Sequence, residues 1–146
     1  MSVFSVGSLD TITGLSGLIL TGINVATLLN KIEVQKAAGA LGGFITGTSL
    51  AEIASNDAVY RHVRNLLVQH EVLFFRDQER TPQVFAAFAN AFGEVLHHPA
   101  YATVTDAADV QILESTPEKP SKIEVWHSDM TFMPQPPSFT LLQGQI

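Results

Sequence analysis

The sequence predicts an α+β fold, and three observations carry that reading. Its elements fall in the order strand, helix, strand, helix, then strands only, so the second part of the chain is all-β. One of the helices is bounded at both ends, by Thr81-Pro82 at its start and Gly93 at its close. With 46% hydrophobic and 15% charged residues, 146 residues are enough to bury one sizeable core, which excludes wholesale disorder.

Residues 40–50, A-L-G-G-F-I-T-G-T-S-L, are β-branched and punctuated by glycine, which reads as a short strand with a kink or bulge followed by a turn. Ser55 or Asn56 then caps a helix running to about Gln69. Its apolar face holds Val59, Val63, Leu66, Leu67 and His70, and Arg61, Arg64 and Asn65 lie opposite. Residues 71–76 contain the unbroken apolar run Val72-Leu73-Phe74-Phe75, the pattern of a central strand covered on both faces. In the helix opened by Thr81-Pro82, Val84, Phe85, Phe88, Ala91 and Phe92 form one stripe. A His-His-Pro loop follows, then a strand near residues 110–113, a charged Pro-rich loop at 116–122 and an extended segment at 125–132. After a Pro-rich turn comes a final strand at 139–143. No partner strand is predicted beyond it, so its edge is left open and the chain reads as cut off.

Composition narrows the function. Eight Lys and Arg against fourteen Asp and Glu give a net charge of -6, and the basic residues are scattered, so no phosphate-tracking stripe exists and a nucleic-acid partner is not expected. The absence of cysteine removes disulfides, thiolate zinc sites, iron-sulfur clusters and a cysteine nucleophile. Any metal must therefore be held by His, Asp or Glu. Residues 1–32 are an apolar leader without an assigned role. Residues 11–30 carry no charge, but they include four Thr and three Gly and have Asp10 rather than a basic residue on their N-terminal side. A membrane span and a secretory signal both fit poorly, and residues 1–31 are expected to lack extensive contact with the rest.

The sharpest local signal is Trp126-His127-Ser128-Asp129. In an extended segment residues i and i+2 share a face, so His127 and Asp129 can offer an imidazole nitrogen and a carboxylate oxygen to one ion. Alone, this spacing is weak, since a chain of this composition holds an H-x-D by chance roughly 0.2 times. Its surroundings, W-H-S-D-M-T-F-M-P-Q-P-P-S-F-T-L-L-Q-G, resemble the metal-binding signature of the TauD/TfdA (taurine dioxygenase-like) family of Fe(II)- and 2-oxoglutarate-dependent dioxygenases. The resemblance extends upstream in the same order through G-A-L-G-G-F-I-T-G-T-S-L, H-E-V-L-F-F-R-D-Q, T-P-Q-V-F-A-A-F-A-N-A-F-G-E and H-H-P-A-Y. It covers residues 33–146 as the N-terminal part of such a domain.

That resemblance implies a partial double-stranded β-helix, a jelly roll of the clavaminate synthase-like kind, with two flanking helices and truncated before the barrel closes. It implies His127 and Asp129 as metal ligands at the barrel mouth, Fe(II) as cofactor, and 2-oxoglutarate and O2 as co-substrates. The family's third ligand, a distal His, and the Arg that pairs with 2-oxoglutarate lie in its C-terminal half and have no counterpart here. His98 and Tyr101 resemble the family's substrate-contact pair, against the plainer reading of loop packing. Trp126 is expected to shield the metal or pack on the barrel wall, and Thr131 and Phe132 to support the site. Where taurine-specific members carry an Asn, this chain has Ile123, which argues against taurine itself.

The expected function is hydroxylation of a small organic acid such as a sulfonate, sulfate ester or aryloxyacid, in the cytoplasm, where 2-oxoglutarate is available. With two of three protein ligands, the 146 residues alone are expected to be inactive. The alternative is a non-catalytic truncated remnant that self-associates as a homo-oligomer through its open edge.

Overall fold

The computed structural model describes residues 2–6, 24–120 and 125–145. In chain order the elements are β1 (Ser2–Val6), α1 (Val25–Leu29), β2 (Glu33–Lys36), β3 (Gly43–Thr46), α2 (Leu50–Ser55), α3 (Asp57–His70), β4 (Leu73–Phe75), α4 (Pro82–Phe92), β5 (Val95–Leu96), β6 (Ala102–Val104), β7 (Ala107–Ile112) and β8 (Phe139–Gln143). They form two compact units, one of Met1–Thr11 with Arg80–Ile146 and one of Ile12–Glu79. The α+β class agrees with the sequence. Neither sheet closes on itself into a barrel among the described residues.

In the unit Ile12–Glu79, β2 and β3 pair antiparallel, and β3 pairs parallel with β4 after a crossover through α2 and α3. The helices form where their ends are satisfied. Ser49 accepts a hydrogen bond from the Glu52 N–H at 3.1 Å, and the Thr48 hydroxyl donates to the Glu52 carboxylate at 2.9 Å. This Ser-x-x-Glu start makes α2 where a turn was expected, because the cap satisfies backbone donors that a turn would leave to water. Asn56 caps α3 by accepting from the N–H groups of Ala58 and Val59, and Val59 and Val63 are then fully buried. Glu71, at φ 65, ends the helix in the left-handed region and donates its N–H to Leu67. Gly47 is required by a close approach, since a Cβ there would lie 1.7 Å from the Lys31 carbonyl oxygen.

The expectation of a central strand at residues 71–76 is corrected. Among the described residues the sheet order is β2-β3-β4, so β3 is central and β4 lies at the edge, with Phe74 40% exposed. An unbroken apolar run marks burial of a segment without saying on how many sides, and here Phe74 is instead half covered by the Phe44 ring at 5.2 Å.

In the other unit, α4 presents Phe85, Phe88, Ala89 and Phe92 as its buried face. Phe92 meets Phe88 at 5.1 Å and Phe139 of β8 at 5.6 Å, both edge-on, which ties the helix to the last strand. β1 runs antiparallel to β8 along all five of its residues, while β7 pairs with Ser2 and Val3 and β5 with Ser5 and Val6. Because β8 takes one edge of β1 throughout, β7 and β5 divide the other. This overturns the expectation that residues 1–31 lack extensive contact: the first strand sits inside the sheet, joining β8 to β5 and β7. α1 also packs against α3 in its own unit. Most of the uncharged stretch 11–30 lies outside the described residues, and among those described no helix is long and apolar enough to cross a membrane.

Candidate metal centre

The segment 125–132, expected to be one extended stretch, forms no strand, and its second half, residues 129–132, is a turn. Met130 adopts φ 52 immediately after Asp129, and the Met133 N–H closes the turn onto the Met130 carbonyl at 3.0 Å. A left-handed methionine is costly, and it is held here by a side chain only 8% exposed, which anchors the turn from below. His127 Nε2 and Asp129 Oδ1 lie 3.2 Å apart, both side chains half-exposed.

Each of the two donors is oriented by a further bond. His127 Nδ1 is 2.8 Å from the Val125 carbonyl oxygen, which can only accept, so Nδ1 carries a proton and the neutral ring directs its lone pair from Nε2. Thr140 of β8 donates its hydroxyl to Asp129 Oδ2 at 2.8 Å, leaving Oδ1 toward the histidine. The His127 pKa is raised above the ordinary 6.5, mainly by the Val125 carbonyl; partial burial opposes this, and the Asp129 carboxylate adds to the rise. Two ligand atoms about 2.1 Å from one ion and at right angles to each other are separated by about 3 Å, so the pair fits adjacent positions on a single first-row metal ion. An imidazole with a carboxylate is also the donor chemistry of the 2-His-1-carboxylate iron sites. Among the described residues no group of three or more His, Asp or Glu is placed to hold a metal ion.

A raised pKa has a direct consequence. Above it the ring is neutral and available to an ion; as pH falls through it, a proton takes Nε2. We expect the His127 imidazole resonances to titrate with a midpoint above 6.5 in the metal-free chain, and Asp129→Asn to bring that midpoint down. A midpoint below 6.5 that the substitution leaves unmoved would show that the pair does not form.

The model of the family described as "Taurine catabolism dioxygenase TauD, TfdA family" matches residues 33–145. The chain belongs to that family. It is 30% identical over 117 residues to a protein of Acinetobacter baylyi named "Alkylsulfatase", covering 80% of this chain and 36% of that one. It is 27% identical over 117 residues to "Alpha-ketoglutarate-dependent sulfate ester dioxygenase" of Pseudomonas putida, covering 80% of this chain and 38% of the relative. It is also 25% identical over 126 residues to "Putative alpha-ketoglutarate-dependent sulfonate dioxygenase" of Schizosaccharomyces pombe, covering 80% and 32%. The match thus spans about a third of the length of these TauD/TfdA relatives.

The second expected pair of this TauD/TfdA chain also comes together. The rings of His98 and Tyr101 lie 4.6 Å apart, tilted by 31°, and Phe132, from the turn that carries Asp129, meets His98 edge-on at 5.8 Å. Ala100 donates its N–H to His98 Nδ1 at 3.1 Å, so the neutral ring keeps its proton on Nε2. Trp126 does not shield the site, since it is fully exposed, and Thr131 is exposed as well. Ile123 lies outside the described residues.

Sequence reasoning missed Thr140, whose position at the start of β8 becomes meaningful only once its hydroxyl is seen to reach Asp129. It also missed Gln111, the buried polar side chain on β7. Its signal was present as a single amide in the apolar end of A-A-D-V-Q-I-L. A second His–Asp approach, His97 Nε2 to Asp109 Oδ1 at 3.7 Å, is longer, and Asn90 already donates to Asp109 Oδ2 at 2.9 Å.

Proposed function

We propose that this chain carries the N-terminal part of an Fe(II)- and 2-oxoglutarate-dependent dioxygenase that hydroxylates a small organic acid such as a sulfonate, sulfate ester or aryloxyacid. The observation that carries the reading is the 3.2 Å approach of His127 Nε2 to Asp129 Oδ1, each oriented by its own second bond, inside the family-matched segment. The names of the relatives favour a sulfate ester or sulfonate among the acids. In this reading the strands around β1 contribute to a jelly-roll barrel. The third ligand and the 2-oxoglutarate-binding Arg come from residues beyond the third of the relatives' length that the match covers. The setting is the cytoplasm, where 2-oxoglutarate is available.

His127 and Asp129 would hold the iron, which when bound supplies the redox chemistry that couples consumption of 2-oxoglutarate and O2 to insertion of a hydroxyl into a substrate C–H bond. The protein's part is placement. Asp129 contributes negative charge through Oδ1 while Thr140 occupies Oδ2, so the carboxylate is held to one oxygen. His98, protonated on Nε2 by virtue of the Ala100 contact at Nδ1, offers an N–H donor to an anionic oxygen, and the Tyr101 hydroxyl offers a second. Two neutral donors suit a sulfur oxyanion or carboxylate, which brings its own charge.

Succinate formation from 2-oxoglutarate, under air with Fe(II), tests this reading. The 146-residue chain alone should form none, because an incomplete ligand set binds iron weakly and leaves the co-substrate unoriented. A chain extended by a segment supplying the distal His and Arg should form it, and His127→Ala should abolish it. Iron-dependent succinate from the short chain, surviving chelator washout and iron re-addition, would overturn the shared-ligand reading and direct the search for a third ligand to His97, His98, Glu94 or a second copy. An extended chain that binds iron yet forms no succinate with any such acid would favour the non-catalytic alternative.

A further inference from the structure

We propose that Gln111 is the positioning residue of the anion-binding pair, setting where His98 and Tyr101 point. The inference rests on the reading of that pair as a substrate contact. Gln111 is 5% exposed and is the one buried polar residue among those described, so its amide must find partners within the protein. All of them belong to the pair. Its Oε1 accepts the His98 N–H at 2.7 Å, and its Nε2 donates to the carbonyls of His98 and Tyr101, each at 2.9 Å.

The two bonds to His98 close a ring like that of paired strands, and the third fixes the residue three places on. A loop of sequence His-Pro-Ala-Tyr is thereby clamped at both ends by one side chain, rooted in a strand whose Val110 is 1% exposed. None of the three bonds uses the His98 or Tyr101 side chain. Backbone is consumed by the clamp, and the rings are left in contact at 4.6 Å, tilted by 31°, with Phe132 meeting His98 edge-on. An apolar residue at 111 would fill the core equally well, but it would leave the His98 N–H and the Tyr101 carbonyl unpaired, and the His98 carbonyl with only the Tyr101 N–H at 3.3 Å, so the loop would be free to choose its own course. Gln111 therefore couples strand β7 to ring orientation, and it does so without approaching His127 or Asp129 through any hydrogen bond of its own.

The test uses the 146-residue chain with hexyl sulfate as the anion and Mn(II) as the metal probe, followed by NMR. Gln111→Leu is expected to weaken hexyl sulfate binding about tenfold and to abolish the His98–Tyr101 ring NOE, with Mn(II) affinity unchanged within about twofold. A purely structural role would lower both affinities together. Gln111→Glu, which keeps the acceptor and loses the amide donor, should behave alike. His98→Ala separates the two claims. If it weakens hexyl sulfate while Gln111→Leu does not, the positioning role is overturned and the anion-binding reading stands; if it changes nothing, that reading fails and the inference with it. Should the position-111 variants not fold, the unaltered chain still decides: a His98 amide that exchanges as slowly as β7 supports the clamp, and one exchanging at the rate of an open loop overturns it.

Discussion

A chain lacking residues 2–6 is expected to lose most of the stability of the unit that holds the metal turn. β1 satisfies β8 along five residues on one side and divides its other side between β7 and β5, so its removal opens three strand edges at once. At a net value of roughly 0.5–1.5 kcal/mol per backbone hydrogen bond, several bonds amount to several kcal/mol, against a total stability of about 5–15 kcal/mol for a typical domain. Thermal unfolding should therefore move down by about 10 °C or more. A synthetic peptide Ser-Val-Phe-Ser-Val added in excess should recover part of the loss, because the acceptor edges remain. An unfolding temperature unchanged by the deletion would show that the strand contributes nothing to the sheet.

Removal of either metal donor should have the largest functional effect. His127→Ala and Asp129→Ala each leave one protein ligand, and saturable binding of Fe(II), measured by calorimetry under nitrogen, is expected to disappear in both. Thr140→Val keeps both donors but frees Asp129 Oδ2, and it should weaken binding by about tenfold, the lower end of what outer contacts to metal ligands usually contribute. Because His127 and Asp129 are half-exposed, their removal should leave the unfolding temperature nearly unchanged, so loss of binding cannot be attributed to loss of fold.

The parts of this fold legible in the sequence were those fixed by local chemistry. Thr81-Pro82 and Gly93 bound α4, Asn56 starts α3, and the strand after Pro136-Pro137 spans the residues expected of it. What local pattern could not give was pairing. Nothing in S-V-F-S-V says that β8 lies beside it, and nothing in V-L-F-F says that β3 is its one neighbour among the described residues. The short strands β2, β5 and β6, of two to four residues, exist because a partner supplies their hydrogen bonds rather than because their own residues prefer extension. His127 and Asp129 were singled out by their spacing, and their side chains do approach each other, at 3.2 Å. Thr140 and Gln111 act across 11 and up to 13 residues of sequence, and only the folded arrangement shows them.

The central claim is that His127 and Asp129 form one metal-binding pair, and the location of a bound paramagnetic ion tests it most directly. On titration with Mn(II), NMR resonances of residues 125–131 and of Thr140 should broaden first, and Asp129→Ala should abolish the selectivity while those of His97 and Asp109 remain sharp throughout. Broadening centred on His97 and Asp109, or uniform along the chain and indifferent to Asp129→Ala, would contradict it.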